Sequence, residues 1–120
     1  MKKVLIADDS HFQVQMLSRV LTEKGFSAIG CFDAIQAWMT ALRETPDAII
    51  LDINMPGGSG LEVLRKLKGS SKTQQIPVIV ISATSDPHSE QASKGLGAAE
   101  FLQKPIDLEK LIVALTRFLG

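Results

Sequence analysis

A chain of 120 residues, 45% hydrophobic and 22% charged, has the size and composition of one globular domain, neither disordered nor fibrous. Its thirteen basic and thirteen acidic residues cancel to a formal net charge of zero, which argues against a surface built to grip nucleic-acid phosphates. No apolar run reaches the roughly 20 residues that cross a bilayer, Asp8 and Asp9 arrive too soon for a secretory signal, and the lone Cys31 can make neither an internal disulfide nor a multi-cysteine metal site, so the sequence predicts a cytoplasmic protein.

The first short apolar run, residues 4–7, stops on Asp8 and Asp9 and predicts a strand buried on both faces. His11 then reads as a solvated residue at the start of a helix whose stripe is Val14, Leu17 and Leu21, with Gly25 placed for its C-cap. Residues 27–31 give a weaker strand ending on Cys31, read as a buried structural thiol. Asp33 and Gln36 have capping-box spacing, and Ile35, Met39 and Leu42 predict the core stripe of a second helix.

A third strand, residues 48–51, stops on Asp52. Gly57-Gly58-Ser59-Gly60 reads as a flexible turn, Ser59 and Glu62 repeat the capping-box spacing, Leu61, Leu64 and Leu67 form a third stripe, and Gly69 sits at the expected C-cap. A fourth strand, residues 78–81, stops on Ser82. Asp86 and Pro87 resemble an N-cap and first helical residue, but the segment to Ala98, with a solvated His88, leaves only Ala92 and Leu96 as anchors and predicts a loosely held helix. Residues 100–103 give a weaker fifth strand stopping on Lys104, and Leu108, Leu111, Ile112, Leu115 and Phe118 mark the last helix. Five strands alternating with five helices, without repeat or linker, predict a single α/β domain over residues 1–120, a doubly wound parallel sheet with right-handed crossovers.

In such a sheet, ligands bind beyond the carboxyl ends of the strands, where strand order reverses. Those ends carry Asp8, Asp9, Asp52, Ser82 and Lys104. Clustered carboxylates repel one another unless a cation neutralises them, and Mg2+ suits the set because it takes oxygen ligands yet needs only one or two protein carboxylates. Beside that ion an aspartate can act as nucleophile toward phosphorus. An ammonium, a hydroxyl and a backbone N–H, from Lys104, Ser82 and Ala83, suit the charge on a transferring phosphoryl group.

Four segments taken together, Val4-Leu5-Ile6-Ala7-Asp8-Asp9-Ser10, Ile50-Leu51-Asp52-Ile53-Asn54-Met55-Pro56 with Gly60, Val80-Ile81-Ser82-Ala83 and Phe101-Leu102-Gln103-Lys104-Pro105, resemble the response regulator receiver domains. The resemblance spans the whole chain. It implies a flavodoxin-like sheet in the order 2-1-3-4-5, with Asp52 as phosphoacceptor and Mg2+ held by Asp9, Asp52 and the backbone carbonyl of Asn54, Asp8 helping through a water. Lys104 would pair with the phosphoryl group, Ser82 would be the switch hydroxyl, and Phe101 the aromatic that moves inward with it. Ser82 and Phe101 stand where the family often has Thr and Tyr, so a switch that needs a phenolic hydrogen bond cannot operate here. The family's Lys-Pro bond is cis, an isomer the sequence alone leaves open at Lys104-Pro105.

The resemblance further implies a sensor histidine kinase or histidine phosphotransfer protein as donor, an unnamed output partner, and room for a phosphorylation-dependent dimer. It implies a domain that catalyses only its own phosphorylation and dephosphorylation, with Asn54 and Thr84 tuning phosphoryl lifetime. A stand-alone regulator and a receiver from a longer protein fit equally. One rival is a haloacid-dehalogenase-like phosphohydrolase, whose second Asp two residues after the nucleophile is Asn54 here. Another, a nucleotide- or flavin-binding module, lacks both glycine-rich phosphate motifs.

Overall fold

The computed structural model describes residues 1–55, 59–83 and 87–120. The expectations placed on Pro56, Gly57, Gly58, Thr84 and Asp86 fall outside those residues. Elements alternate along the chain as β1 (Lys3–Ala7), α1 (His11–Glu23), β2 (Ser27–Cys31), α2 (Ala34–Glu44), β3 (Ala48–Asp52), α3 (Gly60–Gly69), β4 (Val78–Ser82), α4 (Pro87–Gly95), β5 (Glu100–Gln103) and α5 (Leu108–Leu119). All four strand pairings are parallel and the sheet order is β2-β1-β3-β4-β5.

Alternate residues of each central strand feed opposite faces of the sheet, which is why those strands are apolar throughout. Leu5, Ile49, Leu51, Val78 and Val80 join a core with α2 and α3. Val4, Ile6, Ile50, Ile79 and Ile81 join another with α1 and α5. The predicted stripes of α1, α3 and α5 all lie in these cores, with Leu61, Leu108, Ile112 and Phe118 only partly buried.

The prediction for α2 is corrected. Its buried residues are Ala34, Ala37, Thr40 and Ala41, while Ile35 and Met39 stand on the exposed side and Leu42 is half-buried. Alanines let α2 lie close on the sheet, and the larger side chains are left outside. In α4 the expected anchor Ala92 is exposed and Ser93 is the buried residue instead, while Leu96, just beyond the helix, does pack on the core.

Helix ends follow local hydrogen bonding. The carbonyl of Leu21 accepts from Phe26 N at 2.9 Å and that of Thr22 from Gly25 N at 3.1 Å, a Schellman turn that places Gly25 at φ +93°. Gly69 is not a cap: it ends α3 itself, with Ser70 beyond it. The Ser59–Glu62 box also does not form, because Ser59 Oγ accepts from Leu61 N and Glu62 turns to Arg65. At α2, Asp33 accepts from Gln36 N at 2.8 Å, but Gln36 Oε1 accepts from Phe32 N rather than closing the box on Asp33.

Candidate functional site

Strand order reverses between β1 and β3, whose neighbours on their other sides are β2 and β4. Asp8 and Asp9 leave the end of β1, and Asp52 is the last residue of β3. One carboxylate oxygen from each of the three lies within 4.8 Å of the others. Asp8 and Asp52 are almost wholly buried and Asp9 is exposed, so the group forms a pocket open on one side.

Lys104 reaches the pocket from the end of β5, its Nζ 3.1 Å from Asp8 Oδ2 and 3.1 Å from Asp52 Oδ2. The bond to Pro105 that follows is cis. Burial alone would push the ammonium down, but the contacts with Asp8 and Asp52 outweigh it and hold the Lys104 pKa above its usual value. Asp8 is shifted up chiefly because it is buried, with the charge of Asp52 adding to that, against the lowering effect of the Ser10 N–H and Lys104.

Each buried carboxylate has one oxygen committed to backbone. Asp8 Oδ1 accepts from Ser10 N at 3.0 Å, and Asp52 Oδ1 from Asn54 N at 2.8 Å. These short turns fix both carboxyl groups so that their other oxygens face Lys104. Asp8 Oδ2 is buried and makes no hydrogen bond, its contact with Lys104 being a charge pair alone. Three carboxylates whose oxygens lie within 4.8 Å of one another, against one ammonium, fit a small hard divalent cation of the magnesium type.

On the other side, Ser82 ends β4 fully buried. The side-chain oxygen of Asn54 accepts from Ser82 Oγ at 3.4 Å and from Ala83 N at 3.3 Å. Both groups proposed from sequence as phosphoryl donors therefore converge on one acceptor next to Asp52. The structure thus brings together Asp8, Asp9, Asp52, Asn54, Ser82, Ala83 and Lys104. Phe101 does not join them: it lies three residues before Lys104, paired with Val80 two positions back from Ser82, and is half-buried against the core of α2 and α3.

The sequence points to Asn54 as a backbone ligand and a residue that tunes phosphoryl lifetime, but not to its side chain as the acceptor for Ser82 and Ala83. It also gives Gly60 no task. A Cβ at Gly60 would lie 2.3 Å from Ile53 Cα and 2.8 Å from the Asp52 carbonyl oxygen, so only glycine lets the start of α3 pass against the end of β3. Cys31 is buried as expected, its thiol pushed up to about 12 by burial and then by Asp33. His11 and His88 are exposed, and His11 stacks on Phe32 with ring centroids 3.9 Å apart.

A doubly wound sheet with acidic, hydroxyl and ammonium groups gathered at its switch point defines a phosphoryl-handling signalling domain more closely than a dinucleotide binder. The chain belongs to the response regulator receiver domain family, whose model matches residues 4–116. It is 37% identical over 119 residues to the response regulator PleD of Caulobacter vibrioides, covering 97% of this chain and 26% of PleD. Sporulation initiation phosphotransferase F of Bacillus subtilis is 30% identical over 118 residues, 98% of this chain and 94% of that protein. The chemotaxis response regulator CheY4 of Vibrio cholerae has the same fold, with a TM-score of 0.90 at 32% identity over 98% of each chain. The chain thus spans about a quarter of PleD and nearly all of the phosphotransferase. This is a receiver domain of two-component signalling, and neither the phosphohydrolase nor the nucleotide-binding alternative finds support. Among the described residues no helix is long and apolar enough to cross a membrane.

Proposed function

We propose that residues 1–120 act as one phosphoacceptor unit in which Asp52 takes a phosphoryl group from a phosphohistidine on a sensor histidine kinase or a histidine phosphotransfer protein. Asp52 Oδ2 attacks phosphorus, the phosphorus–nitrogen bond breaks, and the imidazole leaves with the bonding electrons. Asp8, Asp9, Asp52 and the carbonyl of Asn54 would hold Mg2+, which supplies charge neutralisation for the incoming phosphoryl oxygens. Lys104 leaves its carboxylate partners to pair with one phosphoryl oxygen. Ser82 Oγ and Ala83 N–H exchange the Asn54 oxygen for another.

The observation that carries this reading is the convergence of Lys104 on both buried carboxylates at 3.1 Å. The ammonium already stands at the acceptor, and Asn54 Oδ1 already gathers the remaining donors. The output is a population shift biased by the new contacts, with Ser82 drawn toward the phosphoryl group and Phe101 following. Without a phenolic hydroxyl, Phe101 reports the state by ring burial alone.

The test is NMR of the protein titrated with beryllofluoride, a phosphoryl mimic, in the presence of magnesium. The reading expects shifts at Asn54, Ser82, Ala83 and Phe101 that require magnesium and vanish in Asp52→Asn. Identical shifts in that variant would sink it.

A further inference from the structure

Helix α2 is apolar on both sides, with the usual order of sizes inverted. Small residues, Ala34, Ala37 and Ala41, face the core, while Ile35 and Met39 are 66% and 57% exposed. Trp38 and Leu42 lie half-buried beside them, Trp38 packing in part on the core, so the outward ridge runs 35, 39 and 42 with the exposed part of Trp38 at its centre, the three-and-four spacing of a helix–helix seam. Grooves flank it on both sides, one against α3 and one against the edge strand β2. Large apolar side chains on the outside of a helix whose inner face is already filled call for a partner.

We propose that this ridge is the contact between two copies of the chain, packed with their α2 helices antiparallel about a two-fold axis. A two-fold interface must be complementary to itself, and the ridge is close to palindromic about the point between Trp38 and Met39. Antiparallel pairing centred there sets Ile35 against Leu42 of the second copy and Trp38 against Met39 of the second copy.

Charge agrees with that direction. Arg43 lies exposed in the last turn of α2, where it pairs with Glu44 at 3.3 Å, and Asp33 caps the first turn, so antiparallel packing brings the Arg43–Glu44 pair beside Asp33 of the second copy and sets the helix dipoles in opposition. Glu44, the residue that faces Asp33 in this pairing, has its charge offset by Lys3 at 3.2 Å and by Arg43 at 3.3 Å, so two cations meet the two carboxylates at each end of the seam. A parallel pair would stack Arg43 on Arg43. One helix face is smaller than the roughly 800 Å2 per partner of a standard interface, so the association is weak, in the micromolar to millimolar range. The ridge includes none of the pocket residues, so it operates with or without phosphorylation.

Sedimentation equilibrium of the full chain from low micromolar to millimolar concentration tests this. The weight-average mass should rise toward the dimer, equally with and without beryllofluoride. Ile35→Glu and Met39→Glu should keep it at the monomer while the circular dichroism and melting curve stay unchanged. In a Cys31→Ser background, Met39→Cys should cross-link to itself on oxidation. Ile35→Cys, about 10 Å along the axis from its own copy at 1.5 Å rise per residue, should cross-link to Leu42→Cys and not to itself. A chain that stays monomeric throughout, a dimer indifferent to Ile35→Glu, or equal self-cross-linking at residues 35 and 39 would overturn the proposal. Capture of an unrelated amphipathic helix by a strictly monomeric chain would also overturn it, by assigning the ridge to another partner.

Discussion

Replacing Lys104 with methionine keeps the stem and removes the ammonium that stands 3.1 Å from both Asp8 Oδ2 and Asp52 Oδ2. Both carboxylates are 2% exposed in their side chains, whereas the lysine side chain is 26% exposed. Removing one partner of a buried ion pair costs about 3–5 kcal/mol. The partial exposure of Lys104 reduces this to about 2–3 kcal/mol, or a fall in Tm of about 8–12 °C at roughly 4 °C per kcal/mol for a chain of this length. The loss is electrostatic, so it should be conditional. Millimolar magnesium should recover most of it, because a cation bound only to the folded state stabilises by mass action, and mild acid should do likewise by protonating Asp8. Urea unfolding of wild type and Lys104→Met, in EDTA and in magnesium, measures the difference. An equal loss in both solutions would refute the reasoning and assign Lys104's contribution to packing of its stem.

Three further outcomes follow from the same geometry. The folded-state pKa of Asp8 lies above its usual 3.8, so the native state holds that proton more tightly than the unfolded chain. Stability from this group is full below pH 3.8 and is lost as pH rises through the raised value; the urea midpoint in EDTA should climb as pH falls through that window, and Asp8→Asn should flatten the climb. Gly60→Ala would force a Cβ to 2.3 Å from Ile53 Cα, against backbone that cannot give way, and should destabilise by about 3 kcal/mol in urea titration, the upper end for overpacking. Thr45 caps α2 in the left-handed region at φ 41°, so Thr45→Gly should raise stability by about 1 kcal/mol, read from the same titration.

Most of the pocket was legible because each strand spends its alternating or continuous apolar pattern and then stops on a chemically distinct residue. Asp8, Asp9, Asp52, Ser82 and Lys104 are visible as interruptions. What escaped depends on distances that a linear pattern does not carry. Asn54 looked like a backbone ligand because nothing local shows its side chain reaching Ser82 and Ala83, residues of the next strand and loop. Gly60 looked like part of a flexible turn because the close approach of Ile53 is a tertiary fact. The stripe of α2 was read on the wrong face, since periodicity fixes an apolar side but not which of two apolar sides meets the sheet, and there alanine outcompetes isoleucine where the helix lies close. In α4, Ala92 was preferred to Ser93 on hydrophobicity, yet Ser93 is the one buried, its Oγ without a hydrogen bond.

In the proposed function Asp52 is the acceptor, with Asp8, Asp9 and Lys104 serving it. Incubation with acetyl phosphate and magnesium, followed by borohydride reduction and peptide mass spectrometry, reads that directly. The expected result is homoserine at position 52 in the wild type, none without magnesium, and none in Asp52→Asn. Reduction product at Asp8 or Asp9 in the wild type, or undiminished modification of Asp52→Asn, would contradict it.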